Sequence, residues 1–285
     1  RRKPKMKLID CIRTLVLKKV VGDANIEITG IEINSHSIKP GNLFIALRGH
    51  SVDGHQFITQ AIQNGASAIL VEEIVNVDVP AVVVPDTRKA MSIVANAFYK
   101  YPTRELALIG VTGTNGKTTT THIIESILRH AEKTTGLIGT MQMRIGMEEY
   151  AVKNTTPNSM ELQKSFRMMR EASCEYAVIE VSSHALHMGR TWGSHFHIAV
   201  FTNFTQDHLD YHKTMENYRA AKGLLFSQLP FDSYAVLNAD DNASKYFSEV
   251  TSAQVITYGM DQKADVWADN IRTSTRGSTF TLHTF

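Results

Sequence analysis

Cysteine is nearly missing from this 285-residue chain: only Cys11 and Cys174 occur, far apart in sequence. They imply no disulfide framework, and a reducing compartment, the cytoplasm, is the expected setting. Long apolar runs are missing too; none approaches the roughly 20 residues that span a membrane. Charge of one sign is not in excess. The net charge is +2, which argues neither for nor against nucleic acid. The one local excess, Arg1, Arg2, Lys3, Lys5 and Lys7, reads as a frayed terminus. No apolar core follows it, so no signal peptide is expected. Internal repeats and low-complexity tracts are also missing. What is left is a globular composition, 43% apolar and 20% charged, long enough for two ordinary domains.

The most informative stretch runs from Gly110 through Gly113, Gly116 and Lys117 to Thr121. It follows the apolar run Ala107–Val111, which reads as a buried strand, and precedes apolar residues at helical spacing up to Arg129. A strand, a glycine-rich turn with one lysine, and a helix make a phosphate cradle. Backbone N–H groups and the helix N-terminus point at the anion, and Lys117 adds a full charge. The Thr118 hydroxyl is suitably placed for Mg²⁺. The strict phosphate-loop pattern asks for glycine where Val111 stands. The loop alone indicates a bound nucleoside triphosphate and leaves the reaction open.

Residues 1–103 read as one small mixed α/β domain: a helix over 8–16, strands over 26–33, 43–47, 68–71 and 81–84, and helices over 55–64 and 88–99. Tyr101–Arg104 reads as a linker. From 104 to 285 strands and helices alternate, the pattern of a mostly parallel sheet flanked by helices. Strands are expected over 107–111, 136–140, 176–181, 197–202, 234–238 and 254–258, and helices over 117–131, 159–172 and 214–229. The tail, 265–285, reads as strands, and its end inside one leads us to expect further chain.

Glu180 closes the apolar run from Tyr176, at the carboxyl end of a strand, where α/β sheets bind ligands. Two readings stand: a Mg²⁺ ligand, or a strand-end glutamate facing water. Asp207, His208, Asp210 and His212 follow the next strand. With His184, His187, His195 and His197 they could instead suggest zinc and a hydrolase, which would leave the phosphate loop without a purpose. Lys222, on an amphipathic helix, reads by itself as a solvated lysine.

Taken together, Gly113–Thr119, Asn154–Thr156, Glu180–Ala185, Asp207–His212 and Ala220–Lys222 resemble the Mur ligase family. Within it the pattern is most similar to members that add the third residue of the peptidoglycan stem peptide. That family does not keep the strict first glycine, which accounts for Val111. The resemblance implies an ATP-dependent amide ligase. A carboxylate of UDP-N-acetylmuramoyl-L-alanyl-D-glutamate attacks the γ-phosphate, and the amine of a diamino acid, meso-diaminopimelate in preference to lysine, attacks the acyl phosphate. All partners are then small molecules, with no nucleic acid and no membrane. Gly113, Thr114, Asn115, Gly116, Lys117, Thr118 and Thr119 would hold ATP. Thr118, Glu180, His208 and a carbamate on Lys222 would serve two Mg²⁺ ions, and Lys117, Glu180, His208 and Lys222 would be catalytic. Ser35, His50, Ser51 and Val52 would contact the UDP group, although alone they read as polar turns. Asn154, Thr155, Thr156, Ser182 and Arg190 would hold the muramoyl dipeptide. The family's C-terminal, amino-acid-binding domain has no counterpart in these residues, so residues 1–285 are expected to bind substrates without completing the reaction. Two alternatives are a nucleotide-binding module without turnover and a folylpolyglutamate-synthase-like ligase.

Overall fold

A computed structural model describes residues 5–49, 52–152, 154–260 and 263–284. The chain divides into two compact units. The first takes the described residues up to Pro102 together with Asn158–Arg167 and Gly189–Ser194. The second takes Thr103–Pro157, Met168–Met188 and the remainder from His195. The division thus begins one residue before the expected linker ends. The two later excursions correct the reading of 104–285 as one contiguous domain. Each is short, and its membership is set by packing, not by local pattern.

Along the first unit run β1 (Met6–Lys7), α1 (Leu8–Ile12), β2 (Lys19–Val21), β3 (Glu27–Ile28), β4 (Gly30–Glu32), β5 (Asn42–Ile45), α2 (Ile58–Gln63), β6 (Ala66–Val71), β7 (Ala81–Val83) and α3 (Thr87–Phe98). Five form a sheet in the order β2-β7-β6-β5-β4, parallel except at the β2–β7 edge, and β1 pairs with β3 separately. Side chains alternate along the strands. Leu43, Ile45, Ala68, Leu70 and Val82 join the core with α1 and α3, whereas Phe44, Ile69, Val71, Ala81 and Val83 join the core with α2. A sheet covered on both faces needs apolar residues at every position, so its strands read as unbroken runs. The helix expected over 55–64 divides into a 3₁₀ turn, Gly54–Phe57, and α2. The Asp53 carboxylate accepts from the His55 N–H, a local bond that favours a tight turn over an α-helical start. Within the same unit α3 is tied to both excursions. Ser92 Oγ donates to Gly189 O at 3.1 Å, Asn96 Nδ2 donates to Gly193 O, and Arg167 donates to Tyr99 O and Lys100 O, both at 2.9 Å.

The second unit is built from β8 (Ala107–Thr112), α4 (Lys117–His130), β9 (Thr135–Ile138), the hairpin β10 (Met143–Ile145) and β11 (Glu148–Tyr150), α5 (Ser159–Glu171, of which Ser159–Arg167 groups with the first unit), β12 (Tyr176–Glu180), α6 (Ser183–His187), β13 (Phe196–Phe201), α7 (Leu209–His212), α8 (Met215–Ser227), β14 (Tyr234–Asn238), α9 (Ala243–Val250), β15 (Gln254–Gly259), β16 (Val266–Ser274) and β17 (Gly277–His283). One 10-stranded sheet has the order β11-β10-β9-β12-β8-β13-β14-β15-β16-β17. Strands β9 to β16 in that order run parallel, and the antiparallel pairings lie at the two edges, β9 with β10 and β10 with β11 at one and β16 with β17 at the other. β8 lies between β12 and β13, both later in sequence, so the strand order reverses around it. A crevice opens off the carboxyl ends at such a reversal. The hairpin, α6 and α9 went unread in the sequence; each is too short for a periodic signal. The hairpin is fastened to α4 by an ion pair, the half-buried Arg144 Nη2 to the buried Glu125 Oε2 at 2.7 Å, and Thr135 donates to the other Glu125 oxygen. No described helix is long and apolar enough to cross a membrane.

Gly110 sits mid-strand because β8 packs against an aromatic ring. A Cβ there would stand 2.6 Å from Phe196 Cε1. Gly110→Ala is expected to lower unfolding stability in urea by about 1–3 kcal/mol, the range for overpacking a filled core. Adding Phe196→Leu should recover part of that loss; strictly additive losses would contradict the packing account.

Candidate active site

The loop between β8 and α4 is shaped by backbone demands that only glycine meets. Gly113 has φ +150°, and a Cβ there would fall 1.9 Å from Thr202 Oγ1. Gly116, at φ +82°, caps α4 from the left-handed region. Residues after β13 pin the loop. Thr114 N–H donates to Asn203 O at 2.8 Å, and Asn115 N–H donates to Asn203 Oδ1 at 3.0 Å. Thr202 Oγ1 and Asn203 Nδ2 donate to Asn115 O at 2.7 and 3.0 Å. Thr114 Oγ1 donates to Thr205 O and accepts from Thr205 N–H. The first intrahelical bond of α4 runs from Thr120 N–H to Gly116 O. The amides before it point out of the helix start, where an anion is favoured.

Two lysines compete for one carbonyl oxygen. Lys117 Nζ donates to Gly113 O at 3.0 Å and to Thr114 O at 2.8 Å, and Lys222 Nζ donates to the same Gly113 O at 2.8 Å. Lys222 is 1% exposed, and its ammonium lies 4.5 Å from the centre of the buried Tyr218 ring. This overturns the solvated lysine that the helix pattern alone suggested. Burial, and then repulsion from Lys117, bring Lys222 from its ordinary 10.5 down to about 7. Burial also lowers Lys117, against the pull of Glu180 and Asp207.

Glu180 is 1% exposed, so the reading of a water-facing carboxylate fails. Gly139 makes room for it: a Cβ there would stand 2.3 Å from Glu180 Oε1. Thr118 Oγ1 donates to Glu180 Oε2 at 2.9 Å, Thr140 N–H donates to Oε1 at 2.8 Å, and Thr140 Oγ1 donates to Oε2 at 3.1 Å. Hydroxyl and carboxylate oxygens therefore gather at the mouth of the loop, the donor type a hard cation takes.

The histidines divide. His208 has φ +52° and stands beside Asp207, 3.4 Å from its carboxylate, with its ring edge-on to His184. His212 is buried, with Nε2 3.0 Å from Ser183 Oγ. Burial, and then His184, His187, His208 and Lys222, push it down to about 4. His187 Nδ1 is 2.8 Å from the Tyr211 hydroxyl. These rings pack against one another. Among the described residues no three His, Cys, Asp or Glu groups are set to hold a metal ion, so the zinc arrangement suggested by the histidine count is not formed.

One cavity of about 410 Å³ in the second unit gathers Thr114–Thr119, Thr140, Thr155, Glu180, Ser182, Ser183, His208 and Lys222. All four residues read as catalytic are among them. Gly113 adjoins the cavity through its carbonyl. Asn154 is exposed, whereas Thr156 is buried; the Thr156 hydroxyl donates to Glu180 O at 2.8 Å and accepts from Ser182 N–H at 3.2 Å. Ser182 Oγ caps α6. Arg190 belongs to an excursion that groups with the first unit. Also in that unit, Val52 is exposed, and Ser35 is buried with its hydroxyl donating to Gln60 Oε1 at 2.8 Å. His50 and Ser51 lie outside the described residues. Sequence reasoning missed Thr140, Asn203 and Tyr218. The first two follow strand ends, a positional signal that could have found them; Tyr218, four residues before Lys222, carries no signal of its own.

Two family models match the chain: the Mur ligase middle domain over residues 111–285, and the Mur ligase family, catalytic domain, over 27–105. The curated UDP-N-acetylmuramoyl-L-alanyl-D-glutamate--2,6-diaminopimelate ligase of Bacillus velezensis is 50% identical over 286 residues, covering 98% of this chain and 58% of that protein. The protein of the same name from Geobacillus thermodenitrificans is 53% identical over 266 residues, covering 91% of this chain and 54% of that protein. A solved structure of a ligase with this name superposes with a TM-score of 0.82 at 25% identity, over 98% of this chain and 58% of that one. The chain thus spans a little over half the length of the curated relatives it matches.

Buried Lys222 carries a pH signature. Its folded pKa of about 7 lies below the ordinary 10.5, so between those values the unfolded chain binds the extra proton. Stability therefore rises with pH across that window, and the full cost applies below pH 7. Lys222→Met, which keeps the apolar stem, is expected to raise urea-unfolding stability by about 2–4 kcal/mol at pH 6.5 in CO₂-free buffer. At pH 10.5 the gain should nearly vanish. An equal gain at both pH values would contradict the assignment.

Proposed function

The chain belongs to the Mur ligase family, and on that premise we propose that it serves an ATP-driven amide ligase of peptidoglycan precursor synthesis, one that joins 2,6-diaminopimelate to UDP-N-acetylmuramoyl-L-alanyl-D-glutamate. The observation that carries this reading is the meeting of Lys117, Glu180, His208 and Lys222 on one cavity beside a phosphate-type loop.

The loop amides and Lys117 receive the ATP phosphates, and for this Lys117 gives up its bonds to Gly113 O and Thr114 O. The oxygens of Thr118 and Glu180, 2.9 Å apart, fit Mg²⁺, with His208 at the rim of the same cavity. Mg²⁺ held there would neutralise the crowded phosphate charge. An ammonium cannot ligate a cation. Held near neutrality, however, Lys222 has a free amine whose lone pair can bond to the carbon of CO₂ with loss of one N–H proton to solvent, and the carbamate so formed would supply an anionic oxygen. A carboxylate of the UDP-linked dipeptide attacks the γ-phosphorus, ADP leaves, and an acyl phosphate forms. The diamino acid's amine then attacks the acyl carbon and phosphate departs. The chain's share is positioning and electrostatic stabilisation, from a loop whose polar groups are pinned beforehand. Thr155, Thr156 and Ser182, with Asn154, bind the peptide part from the second unit. Arg190 supplies a guanidinium to the same dipeptide, and Ser35 with the segment His50–Val52 binds the UDP group.

Calorimetric titration of the chain with ATP and Mg²⁺ tests the loop assignment. Lys117→Ala should weaken ATP at least about tenfold, the loss of a charge-assisted contact. Binding of UDP-N-acetylmuramoyl-dipeptide should be unchanged. Unaltered ATP affinity would remove the loop from the account.

A further inference from the structure

A second polar centre surrounds Asp53 in the first unit, and the ligase chemistry does not use it. The backbone flanking Asp53 is held by two main-chain bonds. Gly49 N–H donates to Val52 O at 2.9 Å, and Gly54 N–H donates to Leu47 O at 2.8 Å. Neither glycine tolerates a side chain: a Cβ on Gly49 would stand 2.8 Å from Val52 O, and one on Gly54 2.7 Å from Leu47 N and O. His55, with a side chain 13% exposed, bridges from this segment to the end of β6. Its Nδ1 lies 2.7 Å from Asp53 Oδ1, and its Nε2 lies 3.0 Å from the Glu72 backbone nitrogen.

The second contact decides where the ring proton sits. A peptide N–H can only donate, so Nε2 must present its lone pair. The proton is then on Nδ1 and is donated to the Asp53 carboxylate. Glu72 is held in turn, its Oε1 accepting from the Thr87 N–H and hydroxyl at 3.0 and 2.9 Å at the start of α3. Arg48 stands 3.6 Å from Asp53 and 3.3 Å from Glu72 and pairs with Glu73. One imidazole thus fastens a turn, a strand end and a helix start together.

We propose that His55, as its neutral Nδ1–H tautomer, is a positioning residue that latches the Val52–Gly54 backbone onto the end of β6 and so sets Val52 for a uridine diphosphate group. The proposal rests on the uridine-nucleotide reading of the turn given above, and it identifies a residue beyond those assigned to contact the nucleotide.

Two measurements on the whole chain test it. Long-range ¹⁵N–¹H NMR at pH 8 should show His55 protonated at Nδ1 and bare at Nε2; an Nε2–H ring overturns the latch. Calorimetry with UDP, and separately with ADP, gives the functional arm. His55→Gln keeps a carbonyl that can accept from the Glu72 N–H, so UDP affinity should stay within about threefold. His55→Leu leaves that N–H without an acceptor, and UDP affinity should fall about tenfold or more. ADP affinity, which reads the phosphate loop of the other unit, should be unchanged in both and reports an intact fold. Wild-type UDP affinity in His55→Leu, with ADP binding intact, overturns the positioning role. A wild-type chain that binds no UDP overturns the uridine reading, and the positioning role with it, whatever the NMR tautomer.

Discussion

A single backbone oxygen, that of Gly113, accepts from two ammonium groups, and the chemistry of the second unit is organised around that crowding. Two ammonium groups on one acceptor repel each other where water does not relax the charge, and this repulsion, after burial, brings Lys222 toward its neutral amine. The arrangement persists because each cation is held from elsewhere. Lys222 is enclosed by α8 and Tyr218, and Lys117 is fixed as the first residue of α4. Parallel pairing of β8 with β12 and β13 sets the loop between the Glu180 carboxylate and the Thr202–Thr205 segment. A polyphosphate suits this field, since its negative charge relieves that repulsion.

Much of this was legible in the residues. A buried strand, glycines at turn positions and a lone lysine before threonines form a pattern with few other uses, and the structure has that strand, loop and helix. Glu180 was legible as a strand-end carboxylate, but its burial was not, because burial here depends on Gly139 leaving space and on Thr118 and Thr140 donating from other elements. Lys222 is the sharpest case. Its helix is amphipathic, and local pattern assigns a lysine there to solvent. What encloses it is Tyr218 on the same helix and the Gly113 carbonyl more than one hundred residues earlier. The resemblance to a ligase family singled it out where periodicity could not.

The first unit shows the complementary limit. Its strands were readable because a sheet with two covered faces demands apolar residues throughout. Its polar turns were not readable as anything more than turns. Only the geometry reveals that Asp53, His55 and Glu72 are bonded in series, with the peptide N–H of Glu72 dictating which imidazole nitrogen carries hydrogen. A motif scan records residue types; it has no access to a constraint imposed by a main-chain donor.

The two excursions also bear on how this molecule is made. Asn158–Arg167 and Gly189–Ser194 belong to the first unit; α3 donates to carbonyls of the second excursion, and Tyr99 and Lys100, just after α3, accept from the first. On the ribosome, therefore, the N-terminal unit cannot close its own hydrogen bonds until Ser194 has left the exit tunnel, by which time β8, β9 and β12 have also emerged. The unit that is first in sequence is obliged to be a late finisher. Ser92 and Asn96 of α3, awaiting their partner carbonyls, are then polar groups of the nascent chain left without those bonds until late in synthesis.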